Sequence, residues 1–337
     1  MPMDAVDVHS HFFPDEFVRL IRSHGAPAGA SVDRRDGVEW LTLPGHPPVP
    51  LTPQFTTVAS RRARLQELGI AAQALSLSPP MVHWAPAELG VQLARAFNDG
   101  ILEIQASFPD QFVGLATLPL QDIDAALREM DRAVDLGMRG IYVATAVGGR
   151  YLDAPQFAPL WEAAASRSTP VFIHPQNHIG REVMDRWHLF NTVGFPVETA
   201  VLATRLIFSG TLDRHPSLRI VLAHGGGVLP VLAGRLDHAY RQRAEVRDAI
   251  AAPPSTYIKR FYFDTVTHHD LALRLLLDLV GPQQIVLGTD TPYDMADPEP
   301  LARIRRLGLA PPAAAALLGE SARKLLHWEV THATREG

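Results

Sequence analysis

Short, nearly continuous apolar runs alternate along this chain with longer stretches of helical period. The runs at 5–9, 72–77, 112–117, 139–143, 170–174, 219–224, 261–264 and 285–290 have the length of strands. Several, such as Arg-Ile-Val-Leu-Ala at 219–223, carry too little polarity for a strand with one wet face, so burial on both faces is expected. Between them, 87–108, 123–136, 155–165, 197–209 and 270–279 repeat apolar residues at the spacing of a helix with one buried stripe. Strands alternating with helices predict a parallel sheet. Eight such units predict an α/β fold of the closed (β/α)8 TIM barrel type.

The first crossover breaks the rhythm. Roughly sixty residues separate the first strand from the second, far more than a usual connection. Within them, Leu-Pro-Gly-His-Pro-Pro-Val-Pro-Leu-Thr-Pro at 43–53 holds too many prolines for a regular helix. We read about 25–58 as a small insertion after strand one, either covering the barrel mouth or forming a plain surface loop. No repeat, charge run or linker interrupts the rest, so residues 1–337 read as one barrel domain carrying that insertion.

Composition changes this picture in three ways. The 337 residues are 47% hydrophobic and 20% charged with a net charge of −5, which favours neither nucleic acid nor an anionic membrane as partner. Cysteine is absent, excluding disulfides, thiolate metal sites and a cysteine nucleophile. Any transition metal must therefore rely on nitrogen and oxygen ligands, and fifteen histidines can supply the nitrogen. With no bilayer-length apolar run and no basic-then-apolar leader, a soluble cytoplasmic protein is the expectation.

In such a barrel the chemistry sits at the C-terminal ends of the strands. The first run ends in His9-Ser10-His11, and alternate residues of a strand leave on the same side. Three further runs end in His174, His224 and Asp290. A single histidine is usually a solvated or core residue; five metal-competent groups on four strand ends point instead to a divalent ion. His9, His11, His174 and Asp290 form the expected ligand set for zinc, with manganese as the other candidate, and leave one position open. His224 is the expected general acid/base beside Asp290, because a free imidazole titrates near working pH. Its alternative role is a fifth ligand. Asp264, at the end of the seventh run, could orient a ligand or cap a turn, and His178, His268 and His269 lie in loops near the mouth. Two rival motifs fail: His224-Gly-Gly-Gly lacks the Gly-x-Ser-x-Gly of an esterase, and its glycines lack the lysine of a P-loop.

The segments His9-Ser-His-Phe-Phe-Pro14, Phe172-Ile-His-Pro175, Ala223-His-Gly-Gly-Gly227 and Leu287-Gly-Thr-Asp290, in that order, resemble the amidohydrolase superfamily. More closely, they are similar to its aminocarboxymuconate-semialdehyde decarboxylase branch. With Leu118-Pro-Leu-Gln-Asp122 and Pro216-Ser-Leu-Arg219 the likeness runs over nearly the whole chain. The resemblance implies a zinc-dependent, non-oxidative decarboxylase of a small conjugated acid, whether aromatic, heteroaromatic or muconate-like, and often a homodimer. A metal-dependent hydrolase or hydratase of a related small ring or ring-cleavage metabolite is the alternative, and a non-catalytic metal-binding barrel the second.

The resemblance also implies one metal, because 139–145 lacks the lysine that many hydrolytic members carboxylate to bridge two. Some decarboxylating relatives replace the first histidine by glutamate, whereas this chain keeps His9. For substrate binding it implies Arg235, presented to a carboxylate across a dimer interface, and Trp187 as a pocket wall. Tyr293 stands near a usual phenylalanine. One departure concerns the insertion, where the family has an arginine for a second carboxylate and Gly45-His-Pro-Pro-Val-Pro50 has none. His46 or Gln54 could serve instead, or the substrate could bear a single carboxylate.

Overall fold

The structure, a computed structural model, describes residues 5–176 and 180–328. All eight expected strands form: β1 (Val6–Asp7), β2 (Ala72–Leu75), β3 (Phe112–Thr117), β4 (Gly140–Ala144), β5 (Val171–His174), β6 (Ile220–Leu222), β7 (Tyr262–Asp264) and β8 (Ile285–Val286). They lie parallel in one sheet in chain order. Phe172 of β5 pairs with Tyr142 on one side and Val221 on the other, and β7 pairs Phe263 with Ile285. The sheet closes between its ends: the Val8 N–H donates to the Leu287 carbonyl (2.9 Å), the Asp290 N–H to that of His9 (2.8 Å) and the His11 N–H to that of Thr291 (2.8 Å). The result is a (β/α)8 TIM barrel. Every residue of β3, β4 and β5 is buried, as the unbroken apolar runs require.

The helices follow the periodic segments: Ala87–Ser107, Ile123–Asp135, Ala158–Ser166, Phe195–Phe208 and Asp270–Val280. Ile123–Asp135 shows why. Asp122 caps it by accepting the Ala125 N–H (3.0 Å), and Ala125, Ala126, Glu129, Met130 and Ala133 form one buried stripe.

The insertion has structure of its own. Ser31–Arg35, Val38–Thr42 and Val49–Pro50 make a three-stranded antiparallel sheet. The turn Asp36-Gly37 joins the first two with positive φ at both residues (48° and 82°), the geometry that matches the twist of a tight hairpin. Arg181, beyond β5, donates to the Gly45 carbonyl (2.9 Å) and ties the insertion over the top of the barrel. Among the described residues, no helix is long and apolar enough to cross a membrane.

Candidate metal centre and cavity

The ends of β1, β5, β6 and β8 bring His9, His11, His174, His224 and Asp290 together at one end of the barrel. Ring centroids of His9 lie 5.2 Å from those of His11 and His174 and 5.1 Å from that of His224. Asp290 faces three of the imidazoles. His11 Nε2 is 3.1 Å and His9 Nε2 3.4 Å from its Oδ1, and His224 Nε2 is 3.7 Å from its Oδ2. One group of donor atoms, all within 4.8 Å of one another, comprises His9, His174, His224 and Asp290. His224 thus belongs to the group, while His11 adjoins it through Asp290 and through ring contacts with His9 (5.2 Å) and His174 (5.4 Å). The side chain of His224 is 15% exposed, against 4% for His9 and 0% for His11, so it opens furthest toward solvent.

Neighbouring groups set which nitrogen each ring presents. Asp264, at the end of β7, lies 2.6 Å from His9 Nδ1. Its oxygens also accept the backbone N–H groups of His224 (3.0 Å), Gly225 (2.8 Å) and Val266 (3.0 Å). A carboxylate that already accepts from three donors takes a fourth from His9, so that once this ring is neutral its Nε2 lone pair faces the centre. That Nε2 is buried without a hydrogen-bond partner. His174 Nδ1 lies 2.7 Å from the Pro175 carbonyl, which can only accept, so here too Nε2 keeps its lone pair. His224 (φ 55°) and Asp290 (φ 63°) hold left-handed backbone that costs on the order of 1–3 kcal/mol each, a strain that gathers at functional sites.

The electrostatics favour a cation. Burial opposes charge on His9, but Asp290 and Asp264 outweigh it and push the imidazole up to about 10. Burial pushes His11 down to about 4. Burial and the adjacent imidazoles hold His174 well below its ordinary value. Burial would raise Asp290, yet His9, His11 and His224 hold it well below the usual carboxylate range, and His9 also lowers Asp264 against its burial. Two buried carboxylates kept anionic beside two imidazoles kept neutral draw positive charge into the site: without an ion His9 takes it up as a proton, which a bound metal would displace.

The donor set fits a divalent ion. Two imidazole nitrogens stand 3.1–3.4 Å from one carboxylate oxygen, a nitrogen-and-oxygen donor set of the kind that holds such ions. Imidazole nitrogens with one carboxylate suit zinc or manganese.

A cavity of about 420 Å³ opens above these groups, within the size range of small-molecule sites. Its walls are largely aromatic and apolar: Phe55, Phe190, Phe195, Tyr293, Trp40 and the prolines at 47, 48 and 50. The insertion supplies Trp40, His46 and those prolines, so it walls the mouth. Among the described residues lining the cavity there is no lysine or arginine.

The substrate-binding expectations divide. Tyr293 lines the cavity and its hydroxyl bonds Ser78 Oγ. His46 also lines it, whereas the Gln54 side chain is turned to the Ser60 carbonyl (3.3 Å). Trp187 is 79% exposed and does not line the cavity; His188, Phe190 and Asn191 of the same segment do. Arg235 lies exposed on helix Leu229–Gln242, also away from the lining. His178 falls outside the described residues. His268 lines an adjoining groove of about 250 Å³ that shares His224 and Asp290, and His269 caps helix Asp270–Val280.

Asp7 was not singled out in the sequence. It is buried, and it accepts from the His9 N–H (3.0 Å), the Thr289 N–H (3.1 Å) and Oγ1 (2.6 Å), and Gln73 Nε2 (2.6 Å), clamping the two strands that carry the ligands. An acidic residue inside an apolar strand was the available signal.

Comparison with known proteins finds relatives over most of the chain. A family model described as amidohydrolase matches residues 6–328. A 2-amino-3-carboxymuconate-6-semialdehyde decarboxylase of Dictyostelium discoideum is 31% identical over 304 residues, covering 87% of this chain and 82% of that protein. A gamma-resorcylate decarboxylase of Rhodococcus jostii is 35% identical over 256 residues, covering 68% of this chain and 75% of that protein. Among solved structures, a dihydroxybenzoic acid decarboxylase of a Polaromonas species, with bound manganese and the inhibitor 2-nitroresorcinol, superposes with a TM-score of 0.80. It is 27% identical and covers 96% of each chain.

Proposed function

The chain belongs to the amidohydrolase family, and from that premise we propose that it is a metal-dependent carboxy-lyase acting without an oxidant on a small conjugated acid of aromatic, heteroaromatic or muconate-like type. The observation that carries this reading is the convergence of His9, His11, His174, His224 and Asp290 beneath an aromatic-walled cavity. His9, His11, His174 and Asp290 would hold the ion, which we take to be zinc, with manganese equally suited to the donors. Bound there, the ion would supply Lewis acidity to a substrate oxygen and stabilise charge that develops as the C–C bond breaks.

The chain's own groups do the rest. Phe55, Phe195 and Tyr293 line the space in which a planar ring would be sandwiched and shielded from water. Loss of carbon dioxide leaves an electron pair on the ring carbon, and a proton must be delivered there. His224 is the most open of the imidazoles measured against Asp290 and stands farthest from that carboxylate, which suits proton delivery better than ligation.

Arg235, exposed on its helix, would serve a substrate carboxylate only through a second copy of the chain, so a homodimer is part of the proposal. Trp187 would then line that shared surface. Light scattering of purified protein tests the dimer, and a monomer would remove Arg235 from the site.

Metal analysis of purified protein, joined to a carbon-dioxide-release screen of hydroxylated aromatic, heteroaromatic and muconate-like acids, tests the activity. Release of carbon dioxide in step with loss of substrate supports the carboxy-lyase. Net uptake of water by a ring or enol substrate would replace it with a hydrolase or hydratase.

A further inference from the structure

Helix Val58–Leu68 carries three arginines and a glutamate, and of these only Arg61 is buried. Among the described residues it forms no ion pair. Its guanidinium donates only to neutral oxygens: through Nη2 to the carbonyls of His11 and of Gln54 (2.7 Å), and through Nη1 to Thr291 Oγ1 (3.0 Å). The Thr291 carbonyl and Gln73 Oε1 lie further off, each at 3.4 Å. Burial pushes the group down to about 10, which leaves it charged at neutral pH. A buried cation without a direct counter-ion costs several kcal/mol unless its donors are well used, so packing alone is a poor reason for an arginine here.

What those acceptors share is position. His11 lies four residues beyond β1, and Thr291 directly follows Asp290. Gln54 lies in the insertion, next to the cavity-lining Phe55. Thr291 Oγ1 is joined onward to Thr289 Oγ1 (3.0 Å), which donates to the buried Asp7 (2.6 Å). The network therefore spans the two chain segments that carry His9, His11 and Asp290. We propose that Arg61 is a positioning residue of the metal centre: by bonding the backbone of His11 and the side chain of Thr291 it sets the separation of His11 and Asp290, and through Gln54 it fastens the cavity wall to the same frame. Lysine cannot reproduce this, because one ammonium cannot reach acceptors that Nη1 and Nη2 contact separately. The inference rests on the metal-site reading, not on the identity of the substrate.

The test uses cobalt(II) alone, added to metal-free full-length protein. Wild type, Arg61→Gln, Arg61→Lys and Thr291→Val are compared by the visible absorption of bound cobalt, by the rate at which a chelator removes it, and by thermal melting of the metal-free form. Arg61→Gln should lose cobalt about 10–100-fold faster with a shifted absorption band, as expected when an outer support of a metal site is removed. Arg61→Lys should fall between it and wild type, and Thr291→Val should shift in the same direction by less. Should Arg61→Gln not fold, the other two variants carry the test. A purely structural role would lower melting in every variant but leave the cobalt spectrum unchanged, and that result overturns the proposal. If wild type takes up no cobalt, the metal-site reading itself fails and Arg61 loses its role with it.

Discussion

Replacing Asp264 by asparagine removes one charge and one acceptor while keeping the shape, and its consequence can be worked from four hydrogen bonds. One oxygen of Asp264 accepts the Gly225 and Val266 N–H groups; the other faces His9 Nδ1 and accepts the His224 N–H. An asparagine amide has one accepting oxygen. Turning its NH2 toward Gly225 and Val266 would leave two buried backbone donors unpaired, at about 1–3 kcal/mol each. Turning the NH2 toward His9 leaves only the His224 N–H unpaired, so this orientation wins. The amide then donates to His9 Nδ1, which must give up its proton. The ring shifts to the tautomer with hydrogen on Nε2, the atom that faces Asp290, and its lone pair is lost to the metal. Stability of the metal-free protein should fall by about 1–3 kcal/mol, read by urea denaturation. Metal affinity should fall about 10–100-fold, or about 1.4–2.7 kcal/mol, read by chelator competition. Unchanged affinity in a folded Asp264→Asn protein would show that Asp264 does not set the His9 tautomer.

Three further outcomes are expected. His224→Ala should lower turnover by about 10²–10⁴-fold, the usual worth of a general acid or base, with bound metal nearly unchanged by elemental analysis; loss of the metal would make His224 a ligand. Gly227→Ala should be strongly destabilising, because its Cβ would stand 2.0 Å from the Pro196 carbonyl oxygen at φ +60°. Strain and overpacking together come to about 2–6 kcal/mol, and a variant melting within a degree or two of wild type would contradict this packing. Glu198→Gln should stabilise the protein at pH 8 but hardly at pH 4. Burial raises Glu198 to about 7, above an unfolded value of about 4.3, so the wild type loses stability as pH rises between the two. A melting difference that stays flat with pH would refute that assignment.

The barrel was legible because strands buried on both faces cannot hide: the run at 219–224 has nowhere to sit but a core, and β6 lies within it. The five site groups were legible for a related reason, since strand ends in this fold all open on one face. The insertion hairpin was not. Its strands are mostly polar and half-exposed, so no inward stripe marks them, and the Asp36-Gly37 turn was the one signal present. Trp187 illustrates another limit. It sits in an irregular segment with left-handed backbone (φ 55°), where neighbouring positions point in unrelated directions and only His188, Phe190 and Asn191 turn inward. Arg61 looked like any other arginine on a basic helix, because its acceptors come from segments as far as 230 residues away in sequence.

The bonds that close the barrel between its first and last strands have a consequence for how the molecule comes to hold an ion. As the chain is made, three imidazoles exist once residue 174 has emerged, but the aspartate that gathers them comes over a hundred residues later, on the strand that seals the ring. Until Asp290 and Thr291 dock against His9 and His11, there is no enclosed coordination sphere. An ion taken up at this site would therefore meet the complete donor set only once residues 290 and 291 have docked, and a product shortened before them would keep its four site histidines without the carboxylate that faces them.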